Sequence, residues 1–494
     1  MGDNSRIGDT LFVPAMGKVS TRSRTGCLTC RRRKKKCDER QPICSGCDRN
    51  QLACEWFSNE LVPRTRRSRC RRQLAVIQLP HEAQAMLNVF AVPKPGMAER
   101  LLSHFIDHSP RWLSTRTGTR RSDFLKYLLP AVFGSLQVHN CVLMIASADL
   151  AKYCRDDVEV QAVAVEYYGK AVSALQGSLN EELASMAAYN LPGSDYTPLA
   201  VLLLCLHECQ NFTNSTRIVP HLNAAAALLL RRLHYTPEDL ALRSFLFELF
   251  CYYFSLVAFS HGSKLSLCQA SSIFSSPIVT QYLQQGNVMG TSQRLFMCIF
   301  RISMLAEKVL SERQLHDSPA RTELVTIEQQ LIAWQAELPT RGDADVAWLN
   351  DAITSELYRL ACLIYIKKVL DTALSDQSPP IQALVLAFVE HLSHLPPDAP
   401  SNNILCWPLV VAGLSAVVAT HQRAISTRLG QIYDIWRSDI LCQSAAFLRQ
   451  KWRDDRSPNR HSAASSCGEQ EKGQDDSTVA INDILKLQFP VILV

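Results

Sequence analysis

Six cysteines fall within 28 residues: Cys27, Cys30, Cys37, Cys44, Cys47 and Cys54. They are separated by two, six, six, two and six residues, and a shift of 17 positions carries the first three onto the second three. The cluster is an internal duplication. Besides cysteine, the stretch holds four apolar residues, Leu28, Ile43, Leu52 and Ala53. Four side chains cannot build a core, and a segment this short needs a covalent or metal staple.

Disulfides are one option and metal the other. The other twelve of the 18 cysteines stand singly, many in apolar sequence such as Cys205, Cys251 and Cys362. The start MGDNSRIGDT lacks the apolar stretch of an export signal, so an intracellular, reducing setting is expected. That favours metal. Each Cys-x-x-Cys pair is a bidentate claw for a tetrahedral ion, and thiolates select zinc or iron–sulfur. Two tetrahedral zinc ions need eight thiolate positions. Six cysteines supply them only if two sulfurs bridge both ions, and the duplication makes a symmetry-related pair the natural choice. A single zinc would leave two cysteines idle and the repeat without a reason. Zinc binding contributes roughly 10–16 kcal/mol in small zinc peptides, so this segment is expected to be unfolded without metal.

The two halves differ in charge. Cys30 and Cys37 enclose RRRKKK, six cations, whereas Cys47 and Cys54 enclose DRNQLA, with none in excess. The metal geometry was kept twice and the cations once. Six cations exceed what a thiolate-rich cluster would need for neutrality. The first half is therefore the expected face toward a phosphate backbone, and a solvated run or import signal is the plainer alternative. Ser45, with Asp48 three residues on, predicts the capped start of a short helix.

This stretch, CLTCRRRKKKCDERQPICSGCDRNQLAC, resembles the fungal six-cysteine binuclear zinc cluster transcription factors in all six cysteines, the basic run after Cys30, Asp38 and Pro42. The resemblance implies two Zn²⁺ ions bridged by Cys27 and Cys44. It also implies that Lys34 reads base edges of CGG-like triplets in double-stranded DNA. Arg31, Arg33 and Lys36 would then hold phosphates, in a nuclear regulator of RNA polymerase II genes, metabolic or biosynthetic ones by analogy. A zinc or redox sensor whose cluster reads no sequence is the alternative.

Charge follows the same division. Residues 1–72 carry 18 Lys and Arg against 7 Asp and Glu, and the remainder 34 against 39. Residues 1–26 read as a disordered arm. Residues 55–95 read as a basic linker whose QLAVIQL run is cut by Pro80 before a heptad is sustained, so monomer or dimer stays undecided. From 96 to 452 the periodicity is helical, and a large, mostly α regulatory domain is expected. One example is VEVQAVAVEYYGKAVSAL, with Val158, Ala162, Val165, Tyr168, Val172 and Leu175 on one stripe. This region looks like the helical domain that follows the zinc cluster in such factors. The runs near Leu199 and Pro408 read as buried helices, and no membrane partner is expected.

No GxGxxG, P-loop, HExxH or GxSxG motif occurs, and no enzyme is expected. His104, Asp107 and His108 have metal-compatible spacing but read as a helix edge. Residues 453–480 read as a disordered polar segment. The apolar tail 481–494 reads as an element docking on the helical body, with a segment that binds a coactivator or corepressor as the alternative.

Overall fold

The computed structural model describes residues 27, 29–30, 33, 35–40, 42–54, 96–113, 115, 125–189, 193–211, 217–286, 288–311, 318–335 and 346–455. The arm 1–26, the linker 55–95 and the tail 481–494 lie outside them. The chain divides into two compact units, Met1–Val76 and Ile77–Val494. All regular structure among the described residues is helical, with no strand.

In the first unit the interior is sulfur. Cys27, Cys30, Cys37, Cys44 and Cys47 are buried together, with Cys54 packed against them. One short helix, α1 (Ser45–Asp48), lies in the second half of the repeat.

The second unit is built on long helices: α2 (Met97–His108), α3 (Leu136–Tyr153), α4 (Val158–Tyr189), α5 (Tyr196–Gln210), α6 (Ile218–Arg232) and α7 (Leu240–His261) in its first part. It continues with α8 (Gln293–Ser311), α9 (Val346–Leu370), α10 (Cys406–Leu414) and α11 (Asp439–Asp454), and further helices fill the intervals. Helix α7 is the axis of the core. Asp239 caps it by accepting the Ala241 and Leu242 N–H groups at 2.9 and 3.0 Å. Its Phe250 and Phe254 meet Phe274 and Phe300, whose rings stack at 3.9 Å. Helix α7 with its extension to Lys264 is long and apolar enough to cross a membrane, yet 89% of its apolar window is buried inside the unit. It is a core helix. The runs near Leu199 and Pro408 are likewise buried, in α5 and α10.

Buried charge ties the first part together. Arg232, fully buried on α6, pairs with Glu182 of α4 at 2.8 Å and with Asp195 at 3.3 Å. It also donates to the Leu228, Gly193 and Ser194 carbonyls. Arg243 of α7 holds the other Asp195 oxygen at 2.7 Å. Four segments are pinned at one point, because a buried guanidinium is tolerated only where opposite charge and carbonyls surround it.

One expectation is corrected. Arg453 and Asp454 belong to α11, not to a disordered segment, and the Lys451–Asp455 and Gln450–Asp454 contacts support that last turn. On α4 the stripe turned inward is Val160, Tyr167, Ala171 and Leu175. Of the stripe read from the sequence, Leu175 is buried, whereas Val158, Val165 and Val172 face solvent at 81%, 75% and 39% exposure. The sequence of α4 is apolar on two opposite faces. Periodicity gives the repeat of each, whereas the choice between them is made by α3 and α5, on which α4 rests.

Candidate metal centre

The six thiols sort into two sets. The sulfurs of Cys27, Cys30, Cys37 and Cys44 lie within 4.8 Å of one another, and so do those of Cys27, Cys44, Cys47 and Cys54. Cys27 and Cys44 belong to both sets, with their sulfurs 3.6 Å apart. Six thiols thus present eight ligand positions, the number two tetrahedral ions require. None of the described cysteines is in a disulfide.

The backbone wraps each half in the same way. Cys30 N–H points at the Cys27 sulfur and Cys47 N–H at the Cys44 sulfur, both at 3.3 Å. Cys27 N–H points at the Cys37 sulfur at 3.4 Å and Cys44 N–H at the Cys54 sulfur at 3.3 Å. Each bond maps onto its counterpart by the 17-residue shift. Such donors favour thiolate over thiol, which is the form a metal needs. Without metal the sulfurs compete. Burial pushes Cys27, Cys30 and Cys47 up to about 12. Burial also opposes ionisation of Cys44, but the Cys47 N–H and the thiols of Cys47, Cys30 and Cys27 bring it down to about 6.

The local chain differs from the expected capping pattern. Cys44, not Ser45, is the N-cap of α1, with its sulfur accepting the Cys47 N–H. Ser45 instead donates its N–H and hydroxyl to Asp38. The Ser45 hydroxyl holds the Asp38 carboxyl below its ordinary value of 3.8. Thr29 donates to the Ala53 carbonyl at 2.7 Å. These contacts lace the halves of the repeat together. Polar residues at one-off positions gave no periodic signal, although Asp38 is among the residues that carry the family resemblance.

Of the basic run, Arg31 and Lys34 lie outside the described residues. Arg33 and Lys36 are exposed, as is Lys35. Arg33 N–H bonds the Thr29 carbonyl at 3.2 Å and Lys35 N–H the Cys30 carbonyl at 3.0 Å. No carboxylate among the described residues pairs with these three side chains.

In the helical unit the histidine spacing resolves as a helix edge. His104 bonds Asp149 at 2.9 Å, and His108 stacks on His104 and bonds its carbonyl. Among the described residues, only cysteines form a cluster able to hold a metal.

The geometry defines a class: an all-helical body, among the described residues, in one chain with a small unit organised around a dinuclear cysteine centre. Comparison gives the family. Residues 100–470 match the model of the fungal specific transcription factor domain, and residues 25–62 that of the fungal Zn(2)-Cys(6) binuclear cluster domain. The first match spans most of the chain, which therefore belongs to the fungal zinc-cluster transcription factor family. Its cofactor is a pair of zinc ions. The chain is similar to the transcriptional regulatory protein pro1 of Neurospora crassa, 34% identical over 17% of this chain and 13% of that protein. It is similar to white-opaque regulator 2 of Candida albicans, 48% identical over 10% of this chain and 11% of that protein. It is also similar to the transcriptional regulatory protein C15D4.02 of Schizosaccharomyces pombe, 53% identical over 12% and 11%. The aligned parts thus span little more than a tenth of these relatives. No solved structure matches.

Proposed function

We propose that this chain is a nuclear, sequence-specific DNA-binding regulator of transcription by RNA polymerase II, not an enzyme. Cys27, Cys30, Cys37 and Cys44 hold one zinc, and Cys27, Cys44, Cys47 and Cys54 the other. Cys27 and Cys44 bridge. Lys34 reads base edges of a CGG-like triplet in the major groove, where a cation can donate to guanine O6 and N7. Arg31, Arg33 and Lys36 hold the flanking phosphates. Residues 27–54 form the reading head, 55–95 a linker, and 96–452 a regulatory body through which coactivators or corepressors act on metabolic or biosynthetic genes.

The observation that carries this reading is the lopsided duplication. The same sulfur cage is built twice, but cations extend from one copy only. Zinc supplies the rigidity that a helix of one or two turns lacks by itself, so the basic turn meets the groove preformed. Donors fixed in advance lose less entropy on binding.

The test is selection of binding sites from random duplexes by the full chain, followed by affinity across salt concentrations. An enriched triplet is expected, with log affinity falling against log salt at about −0.9 per phosphate neutralised. Lys34→Ala is expected to weaken the selected site roughly tenfold to a hundredfold, about 1–3 kcal/mol, and to relax its sequence preference. No enriched sequence, or an unchanged affinity for Lys34→Ala, overturns the proposal in favour of a sensor role for the cluster.

A further inference from the structure

A cavity in the helical unit lies where five helices meet. It is lined from the last turn of α5, from Tyr252 and Tyr253 of α7, from the start of α10, from the first turn of α11, and from Trp436 at the end of the helix Ala419–Trp436. Its volume is about 70 Å³, and it opens to solvent on one side. A water needs about 10–15 Å³ of such space, so roughly five water-sized groups fit. That is too little for a segment of chain and enough for a small molecule seated with one end in the mouth. Among the described residues, no charged side chain lines the cavity.

Its walls carry polar groups that lack partners. Tyr252 and Tyr253 are 5% and 2% exposed, and among the described residues neither hydroxyl makes a hydrogen bond. Gln210 Oε1 and Trp436 Nε1, on walls contributed by two other helices, are buried and likewise unpaired. Single unpaired groups occur elsewhere in the core, at Trp407 Nε1 and Ser415 Oγ for example. Here four belong to the walls of one space: two hydroxyls, a carbonyl acceptor and an indole donor. The large majority of buried polar groups in folded proteins are paired, so such a convergence asks for an occupant. Burial keeps both phenols neutral, with their pKa pushed well above the ordinary 10. The Tyr252 and Tyr253 rings meet edge to face at 5.2 Å, and Leu206, Ile440 and Leu441 add apolar surface.

We infer that this cavity binds a small, neutral, hydroxylated aromatic molecule. Each part of that description follows from the walls. A charged ligand would leave its water and meet no opposite charge. A hydrocarbon would leave all four polar groups as they are. A hydroxyl both donates and accepts, so it can accept from one tyrosine O–H and donate to the other tyrosine or to Gln210 Oε1. The ligand's ring packs among Tyr252, Tyr253 and Trp436, since aromatic pairs gain beyond the area they bury. Mostly apolar walls with a few convergent polar groups are the usual make-up of small-molecule sites. Water alone would serve the polar groups but leave Leu206, Ile440 and Leu441 wet. An occupant touches α5, α7 and α11 together, so binding ties α11 to the core helix. The inference goes beyond DNA recognition and does not depend on it.

The test is titration calorimetry of the full zinc-loaded chain with phenol, toluene and benzoate at neutral pH, with amide hydrogen exchange to locate the site. Phenol and toluene share a shape and differ by the hydroxyl. Phenol is expected to bind one per chain and about tenfold tighter than toluene, the gain that one or two neutral hydrogen bonds supply. Benzoate is expected not to bind. Phenol is expected to slow exchange in residues 206–210 and 439–442, which border the cavity. The double variant Tyr252→Phe, Tyr253→Phe keeps both rings and loses both hydroxyls. It is expected to bind toluene as the native chain does and to lose the preference for phenol. No saturable binding of phenol overturns the inference and leaves water as the occupant. So does toluene or benzoate binding as tightly as phenol, slowed exchange confined to other helices, or a phenol preference that persists in the double variant. The three probes on the native chain decide the matter even where the variant fails to fold.

Discussion

Single residues in this protein matter by how many groups depend on them. Arg232 is the clearest case. Its guanidinium is completely buried, pairs with Glu182 and Asp195, and donates to three carbonyls. Burial lowers its pKa from the ordinary 12.5, and the carboxylates of Glu182 and Asp195 act against that. Arg232→Met would leave two buried carboxylates short of a partner, an expected loss of about 3–5 kcal/mol in urea unfolding of the full chain. Arg301 pairs with Glu323 in the open, both about half exposed. Arg301→Ala should cost less than about 1 kcal/mol in the same assay. Nothing in the local sequence around Arg232 distinguishes it from Arg231, its exposed neighbour. The signal is tertiary: it arises only when Glu182 and Asp195 arrive from other segments. Cys27 and Cys44 are the opposite case. Their spacing to the other cysteines was legible before any coordinates, because ligand count and tetrahedral geometry constrain it.

Elements in the two units are stabilised by different physics. Helix α1 has four residues and is capped by a cysteine sulfur. Isolated helices shorter than about 12–15 residues are marginal in water, so α1 depends on the sulfur cage and not on propensity. Chelation of zinc from the full chain is expected to erase amide protection in residues 27–54 while leaving helical circular dichroism and the unfolding midpoint of the 96–455 region nearly unchanged. Hydrogen exchange with and without chelator checks this. Protection that persists in the metal-free head would contradict the sulfur-for-core argument. Helix α7 needs no such device. Its apolar residues are buried from Leu242 to Phe259, and Asp239 supplies the cap. Its run RSFLFELFCYYFSLVAF lies within residues 96–452, where the periodicity reads as helical. Helix α4 was legible as a helix from its stripe, but its inward face was not, since two apolar faces share one periodic signal.

For the whole molecule, the head takes its order from metal and the body from apolar burial and enclosed polar groups. The body carries a pH dependence. Burial lowers His139, His221 and His261 below the ordinary 6.5; the Val132 backbone opposes this at His139, Glu208 opposes it at His221, and Lys264 reinforces it at His261. These imidazoles resist protonation when folded and accept it readily when unfolded. The unfolded chain therefore binds more protons below about pH 6.5, so stability is full above that pH and falls as pH drops through it. Urea midpoints of the full chain measured from about pH 7 to about pH 5 should decline, and His139→Gln should flatten the slope.

The sequence by itself determined the chemistry of the head and the helical class of the body. Both are local: ligand spacing and hydrophobic period lie within a few tens of residues, and each has few physical solutions. Only the tertiary structure decided which face of α4 turns inward, which arginine is swallowed whole, and that Asp38 and Thr29 lace the two halves of the sulfur cage. Those outcomes depend on partners distant along the chain, and the free energy that selects among them exists only once the partners are packed together.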